Sequence, residues 1–238
     1  MNPSSDLARH GYQILENVFA PEAVCTFRAA ITETIDLAAQ AMRAPFAASY
    51  PDTPIEERLD RAATDDHVYS LALFRAALAD AQRDPRIEAI ASHPRLTALT
   101  SELLEPFKRT GQTIRARAAV PAFSRTRSPW HQDVVRETQS GCGTVRFACW
   151  MPLHDVDASS GALEIIPGAW HSPFPHAEDH EAGRFYIPEK DLPPAERKTV
   201  PVRCGDVLVI DRFLPHRSLP VEGQRARWAI VMWIKGMQ

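Results

Sequence analysis

A mainly β protein with an N-terminal helical layer is the fold class this sequence predicts, with a double-stranded β-helix, or jelly roll, as its core. Three observations predict it. The chain has 238 residues and is 45% hydrophobic, enough for one sizeable core at a length that all-β barrels reach undivided. Residues 1–110 carry apolar side chains at helical three-and-four spacing. Residues 111–238 instead break into short apolar runs with Gly or Pro in most of the gaps, the texture of closely spaced strands. Helices first and strands afterwards predict a single domain, a jelly roll buttressed by helices.

Taken in order, Pro21 to Met42 reads as a helix, with Pro and Glu in its first turn and Val24, Phe27, Ile31, Ile35 and Ala38 on one face. Pro45, Pro51 and Pro54 predict a loop. Weaker helical segments follow at Val68 to Ala81, Pro85 to Ala91 and Pro94 to Leu104. Strand-type segments are Thr113 to Phe123, Gly143 to Leu153, Ala162 to Ile166, Thr199 to Arg203, Asp206 to Phe213 and Arg225 to Ile234. Between them, Ser172 to Arg197 is acidic and rich in Pro and His. A loop of that length is uncommon unless functional, so residues 172–197 are expected to form an active-site lid.

Charge and cysteine usage narrow the partners. The net charge of -3 and pI near 6.3 suggest neither nucleic acid nor an anionic membrane. No apolar run approaches the roughly 20 residues that span a bilayer, and the first residues lack a basic start and an apolar signal core. A cytoplasmic monomer or homodimer is expected. Cys25, Cys142, Cys149 and Cys204 form no CxxC pair, so buried, reduced thiols are expected rather than a disulfide framework or a cysteine metal site. Arg115, Arg117, Arg125, Arg127, Arg136 and Arg146 make one stretch locally basic, which fits either solvated arginines on strand faces and loops or contacts to an anionic group of a small-molecule substrate.

The chemistry concentrates in three residues. His131 and Asp133 sit in Trp130-His131-Gln132-Asp133, and His216 follows Leu214-Pro215. Two imidazoles and one carboxylate are the donor set that holds a non-haem Fe(II) on one octahedral face, leaving the other open. In an extended strand, positions i and i+2 point the same way. His131 and Asp133 are thus expected to grip one metal from one strand, with His216 completing the set from another. Trp130 is expected to pack behind them as core, and Phe147, Trp150, Trp228 and Trp233 to fill the barrel.

Three stretches together resemble the phytanoyl-CoA dioxygenase family of Fe(II)/2-oxoglutarate oxygenases, which have cupin-like jelly-roll cores. They are Pro129-Trp130-His131-Gln132-Asp133, Gly161-Ala162-Leu163-Glu164-Ile165-Ile166-Pro167-Gly168, and Gly205-Asp206-Val207-Leu208 leading to His216. The resemblance covers roughly residues 111–234. It implies a dioxygenase that uses Fe(II), 2-oxoglutarate and O2, hydroxylates a small molecule and releases succinate and CO2. It also implies an arginine eleven residues after the distal histidine, assisted by a hydroxyl two residues after it, as anchor for the far carboxylate of 2-oxoglutarate. Those positions are Arg227 and Ser218, with Arg225 the rival on the same strand face. An arginine suits the task because its planar fork gives a carboxylate two parallel hydrogen bonds.

Asp133 further favours C–H oxidation, because related halogenases carry a small residue there to admit chloride. The chain departs from the family at Ala169-Trp170-His171, where members commonly carry Ser-His, so His171 is read as a turn or lid residue. His154, His176 and His180 lack a partner at ligand spacing and are read as surface or loop residues. The substrate pocket is expected at the barrel mouth, under the acidic loop and the Pro-rich loop near Tyr50 to Asp60. Amino acids and intermediates of specialised metabolism are plausible substrates. The alternatives are a cupin-type isomerase or lyase, which would need no carboxylate anchor, and a non-catalytic barrel protein, which would not need all three ligands.

Overall fold

A computed structural model describes residues 6–42, 46–134, 143–181 and 183–237. The expectations for Pro45, Arg136 and Cys142 lie outside the described residues. The helical layer comprises α1 (Asp6–His10), α2 (Pro21–Ala41), α3 (Ile55–Asp65), α4 (His67–Ala81), α5 (Pro85–Glu88) and α6 (Pro94–Leu104). Proline opens α2, α5 and α6, where its missing N–H is not needed. The Asp66 carboxylate caps α4 by accepting from the Tyr69 amide at 2.9 Å.

Two elements here escape a pattern reading. The strand β1 (Tyr12–Leu15) is only four residues long and lies far in sequence from its neighbours. The helix α3 occupies part of the segment expected to be a Pro-rich loop. Its interior is charged, yet Ile55, Leu59 and Ala62 are buried at helical spacing. The Arg58 side chain is buried beside them, bonded to the Ser49 carbonyl at 2.8 Å and to Asp36 at 2.7 Å.

The remaining strands are β2 (Lys108–Ala119), β3 (Thr144–Pro152), β4 (Leu163–Ile165), β5 (Ala177–Asp179), β6 (Arg184–Tyr186), β7 (Lys198–Val200), β8 (Val207–Asp211), β9 (His216–Ser218) and β10 (Arg227–Met237). Five form a major antiparallel sheet in the order β1-β8-β3-β10-β2, and three a minor sheet in the order β7-β4-β9. This is the jelly roll expected. β1 adds an edge strand from the N-terminal half to a layer that is otherwise largely helical.

Strand alternation divides the major sheet between two cores. Phe147, Cys149, Met151, Val207, Val209, Trp228, Ile230 and Met232 face the helices, in a cluster that also holds Phe27, Ile31, Leu73 and Leu104. Ala148, Trp150, Leu208, Ile210, Ala229 and Val231 face the minor sheet. Phe147 and Trp228 therefore belong to the helix–sheet interface rather than the barrel interior, because their positions are odd where the interior set is even on β3 and the reverse on β10. Cys149 is buried, whereas Cys25 and Cys204 are exposed, against the expectation of buried thiols. No helix among the described residues is long and apolar enough to cross a membrane.

Candidate metal centre

His131 and His216 meet across an antiparallel bridge. Each backbone amide donates to the other residue's carbonyl at 3.0 Å, which sets the imidazole centroids 4.2 Å apart. Asp133, two residues along, is held by its own amide, which donates to the Arg212 carbonyl at 3.0 Å. The His131-Gln132-Asp133 segment is thus an isolated bridge and turn rather than part of a regular strand, yet both side chains still turn to one side. One ligand atom from each of His131, Asp133 and His216 lies within 4.8 Å of the others.

The hydrogen-bond pattern suits a metal. Nδ1 of His131 lies 2.8 Å from the Pro129 carbonyl and Nδ1 of His216 lies 3.0 Å from the Leu214 carbonyl. A carbonyl can only accept, so each Nδ1 carries the proton and each Nε2 keeps its lone pair for a ligand. Burial, and then His216 beside it, pushes His131 down to about 4, so the imidazole stays neutral at physiological pH. Nε2 of His216 stands 4.0 Å from an Asp133 carboxylate oxygen.

The cavity that contains these three residues also contains Ser218 and Arg227. On β9, His216 and Ser218 share a face by alternation and pair with Ile165 and Leu163 of β4. Arg227, first residue of β10, is 3% exposed. Its Nη2 donates to Ser218 Oγ at 2.9 Å and its Nε to the Gly161 carbonyl at 3.2 Å, and its guanidinium lies 5.3 Å from the Trp150 ring centroid. Burial, and then Arg117, lowers its pKa to about 10. Among the described residues no carboxylate pairs with it. A buried cation without a counterion is costly, so this end of the cavity is built for an anion. Gly161 makes the approach possible at a φ of +81°, where an added Cβ would fall 2.8 Å from Val221 and 3.4 Å from the Arg227 side chain. Arg225, the rival, is exposed beside Glu57 at 4.0 Å.

The profile of the phytanoyl-CoA dioxygenase family (PhyH) matches residues 7–229. The chain belongs to the phytanoyl-CoA dioxygenase family. Similar solved structures include the epimerase SnoN from nogalamycin biosynthesis, in complex with Fe3+, α-ketoglutarate and nogalamycin RO. That pair has a TM-score of 0.58 at 17% identity, over 96% of this chain and 80% of SnoN. HygX from Streptomyces hygroscopicus, with nickel and 2-oxoglutarate bound, gives 0.54 at 14% identity over 96% and 84% of the two chains. EvdO2 from Micromonospora carbonacea, complexed with 2-oxoglutarate, gives 0.55 at 18% over 98% and 90%. At such identities the likeness is one of fold. No curated protein sequence matches the chain.

Within this family fold, several residues have parts the sequence reading did not give them. Trp150 and Trp233 line the metal cavity rather than only filling the barrel, and the Arg117 guanidinium lies 5.7 Å from the Trp233 ring centroid at the same cavity. Gln132, between two of the metal-facing residues, points the other way and is buried. Its side chain donates to the carbonyls of Phe213 and of Ser172 (3.0 Å for Ser172) and accepts from the Phe174 amide at 2.7 Å. His176 accepts from the Gln132 amide at 3.1 Å, so this loop residue is a fastening point. A polar residue at the centre of a His-x-Asp triplet, whose parity aims it away from the cavity, is the signal that was available for Gln132.

The segment 172–197 correspondingly differs from the expected lid. It contains the β5–β6 hairpin, and the Arg184 guanidinium bonds the Arg127 carbonyl at 2.9 Å and the Arg125 carbonyl at 3.2 Å. Arg125 pairs with Glu181 at 2.8 Å. The Ile187 amide bonds the Trp130 carbonyl at 2.7 Å, and Trp130 is buried against Ile166 and Ile187. None of the segment's described residues lines the metal cavity. It is a strap fastened behind the ligand-bearing turn. The reason is its polar content, which finds partners on Gln132 and the 125–130 backbone.

Proposed function

We propose that this chain is an Fe(II)- and 2-oxoglutarate-dependent dioxygenase that hydroxylates an unactivated C–H bond of a small molecule, with release of succinate and CO2. The observation that carries the reading is the placement of two imidazoles and a carboxylate in the same cavity as a buried guanidinium that no carboxylate of the described residues pairs. A cupin-type isomerase or lyase that does not use 2-oxoglutarate would have no use for Arg227 and Ser218.

His131, Asp133 and His216 would hold the iron, and the two backbone carbonyls that take the Nδ1 protons keep both rings in the tautomer it needs. Arg227 and Ser218 would take the far carboxylate of 2-oxoglutarate, with Gly161 and Trp150 fixing the guanidinium plane. When bound, iron and 2-oxoglutarate supply the oxygen-activating chemistry. The protein orients the co-substrate, keeps His131 neutral by burial and shields the cavity from water with Trp150, Leu163 and Ile210. Arg117 and Trp233, beside the same cavity, suit a substrate with an anionic group.

Anaerobic addition of Fe(II) and 2-oxoglutarate should give a weak visible charge-transfer band. A metal-loaded protein without that band would remove this reading. Product mass then separates the outcomes: gain of one oxygen for hydroxylation, no change for epimerisation and loss of two hydrogens for ring closure.

A further inference from the structure

Both neighbours of Arg227 are held by the first turn of α3. Strand alternation sends Arg227 into the metal cavity and turns Ala226 and Trp228 toward the helices, where each is buried. The Ala226 amide donates to the Glu56 carbonyl, and the Trp228 indole Nε1 donates to the Ile55 carbonyl at 2.9 Å. A carbonyl oxygen has two lone pairs, so these two can accept from β10 as well as from the amides of their own helix. None of the α3 residues lines the metal cavity. Residues 55–60, expected to roof the substrate pocket, lie behind the anchor instead.

The α3 turn is itself fastened by charge. Glu56 is 3% exposed, and its Oε1 accepts from Nη1 of Arg28 on α2. Its Oε2 is buried with no hydrogen-bond partner. Burial works against the carboxylate charge, but the bonds to Arg28 and to its own amide, with the Arg28 charge, hold Glu56 below the usual carboxylate range. The same Nη1 donates to the Leu153 carbonyl at 2.9 Å, and the Leu153 amide donates to the Trp228 carbonyl at 3.0 Å. The contacts close a ring that runs from Arg28 to Glu56, through α3 to Trp228, on to Leu153 and back to Arg28. Arg227 is the residue whose side chain leaves this ring for the cavity.

Two parallel hydrogen bonds to a carboxylate demand a guanidinium fixed in plane and direction. Ser218 and the Gly161 carbonyl hold the head of Arg227, and the ring holds the backbone from which it projects. A guanidinium already in place loses less freedom when the anion arrives, so its positioning raises affinity. We propose that Arg28 and Glu56 are positioning residues for the carboxylate-binding guanidinium of Arg227, acting through α3 on Ala226 and Trp228. The assignment rests on the reading of Arg227 as the 2-oxoglutarate anchor. It concerns the co-substrate and not the metal, because the ring lies on the helix side of the major sheet.

Calorimetric titration of 2-oxoglutarate into the anaerobic Fe(II)-loaded protein tests it. Arg28→Met and Glu56→Leu each remove the ion pair and keep an apolar stem. Their Kd for 2-oxoglutarate should rise about three- to tenfold, the span of roughly one hydrogen bond, with iron affinity unchanged. Arg28→Lys, which keeps a donor for Glu56, should recover most of the loss. Trp228→Phe removes the indole N–H that α3 holds and should weaken binding from the other side of the ring. Where Arg28→Met fails to fold, it carries the same comparison.

Two controls separate the possible causes. Arg86→Gln breaks the ion pairs with Glu33 and Asp84 in the same helical layer and should leave the Kd unchanged while lowering the melting temperature. Arg227→Ala should weaken binding more than any variant of the ring. Wild-type affinity in Arg28→Met, with a weakened Arg227→Ala, overturns the positioning role and leaves the anchor standing. Equal weakening in Arg86→Gln also overturns it, as a general loosening of the helices. If Arg227→Ala binds 2-oxoglutarate as the wild type does, the anchor itself falls, and the positioning role falls with it.

Discussion

Glu164 and Arg217 form an ion pair at 2.6 Å between β4 and β9, on the face turned away from the metal cavity. The two strands are only three residues each, and this pair occupies the middle register position between Leu163–Ser218 and Ile165–His216. Arg217 also lies 4.9 Å from the Trp130 ring centroid. His216 and Ser218 are thereby held facing inward by the residue between them. Because Arg217 is a third exposed, Arg217→Ala should lower stability by only about 1 kcal/mol, read as a melting-temperature decrease of roughly 2–4 °C. A decrease well beyond that would mean the pair organises the whole minor sheet.

Asp133→Ala should abolish succinate formation and lower iron content in the purified protein. Two imidazoles remain, but the only carboxylate of the set is gone. Wild-type turnover in this variant would show that the carboxylate is not a ligand.

Replacing Arg227 with Ala should raise the KM for 2-oxoglutarate tenfold or more, since charge-assisted hydrogen bonds contribute about 1.5–3 kcal/mol each. Gly161→Val should act in the same direction from the other side, through its clash with Val221 and Arg227 at positive φ. Steady-state kinetics at varied 2-oxoglutarate measures both, and an unchanged KM in Arg227→Ala would leave the buried guanidinium without its proposed role.

The pH dependence of stability should carry a signature of Asp211. Its folded-state pKa of about 6 stands above the unfolded value near 3.8, because burial disfavours the ionised carboxyl. Between these values the folded state binds more protons, so this group's contribution is fully present below about pH 4 and is lost as pH rises through 6. Asp211→Asn keeps an acceptor for the Phe213 amide and removes that loss. The variant should gain stability over wild type on raising the pH from 4 to 7, by a difference on the order of 2 kcal/mol. Chemical denaturation at several pH values measures it, and a constant difference across the range would contradict it.

Gln132→Ala should loosen the strap. It leaves the Ser172 and Phe213 carbonyls and the Phe174 amide without their partner, a loss of about 1–3 kcal/mol for a buried group. Hydrogen exchange should rise at residues 172–176 ahead of the β3–β8–β10 core. Unchanged protection there would show that His176 and Ile187 hold the strap by themselves.

Short-range patterns in the sequence predict the jelly roll behind a helical layer and set His131 with Asp133, while Ser218 and Arg227 come from the resemblance to the phytanoyl-CoA dioxygenase family. Strand alternation puts i and i+2 on one face whatever lies elsewhere in the chain. Only the tertiary structure decided which face was which. It turned Trp228 toward the helices and Trp150 toward the cavity, placed β1 at the edge of the major sheet, and made a strap of the expected lid. It alone brought α3 against both neighbours of Arg227 and closed the metal-bearing turn on Arg212 and Phe213. These contacts join residues far apart in sequence, and their partners are selected by burial and hydrogen-bond satisfaction in the folded chain, which no local pattern encodes.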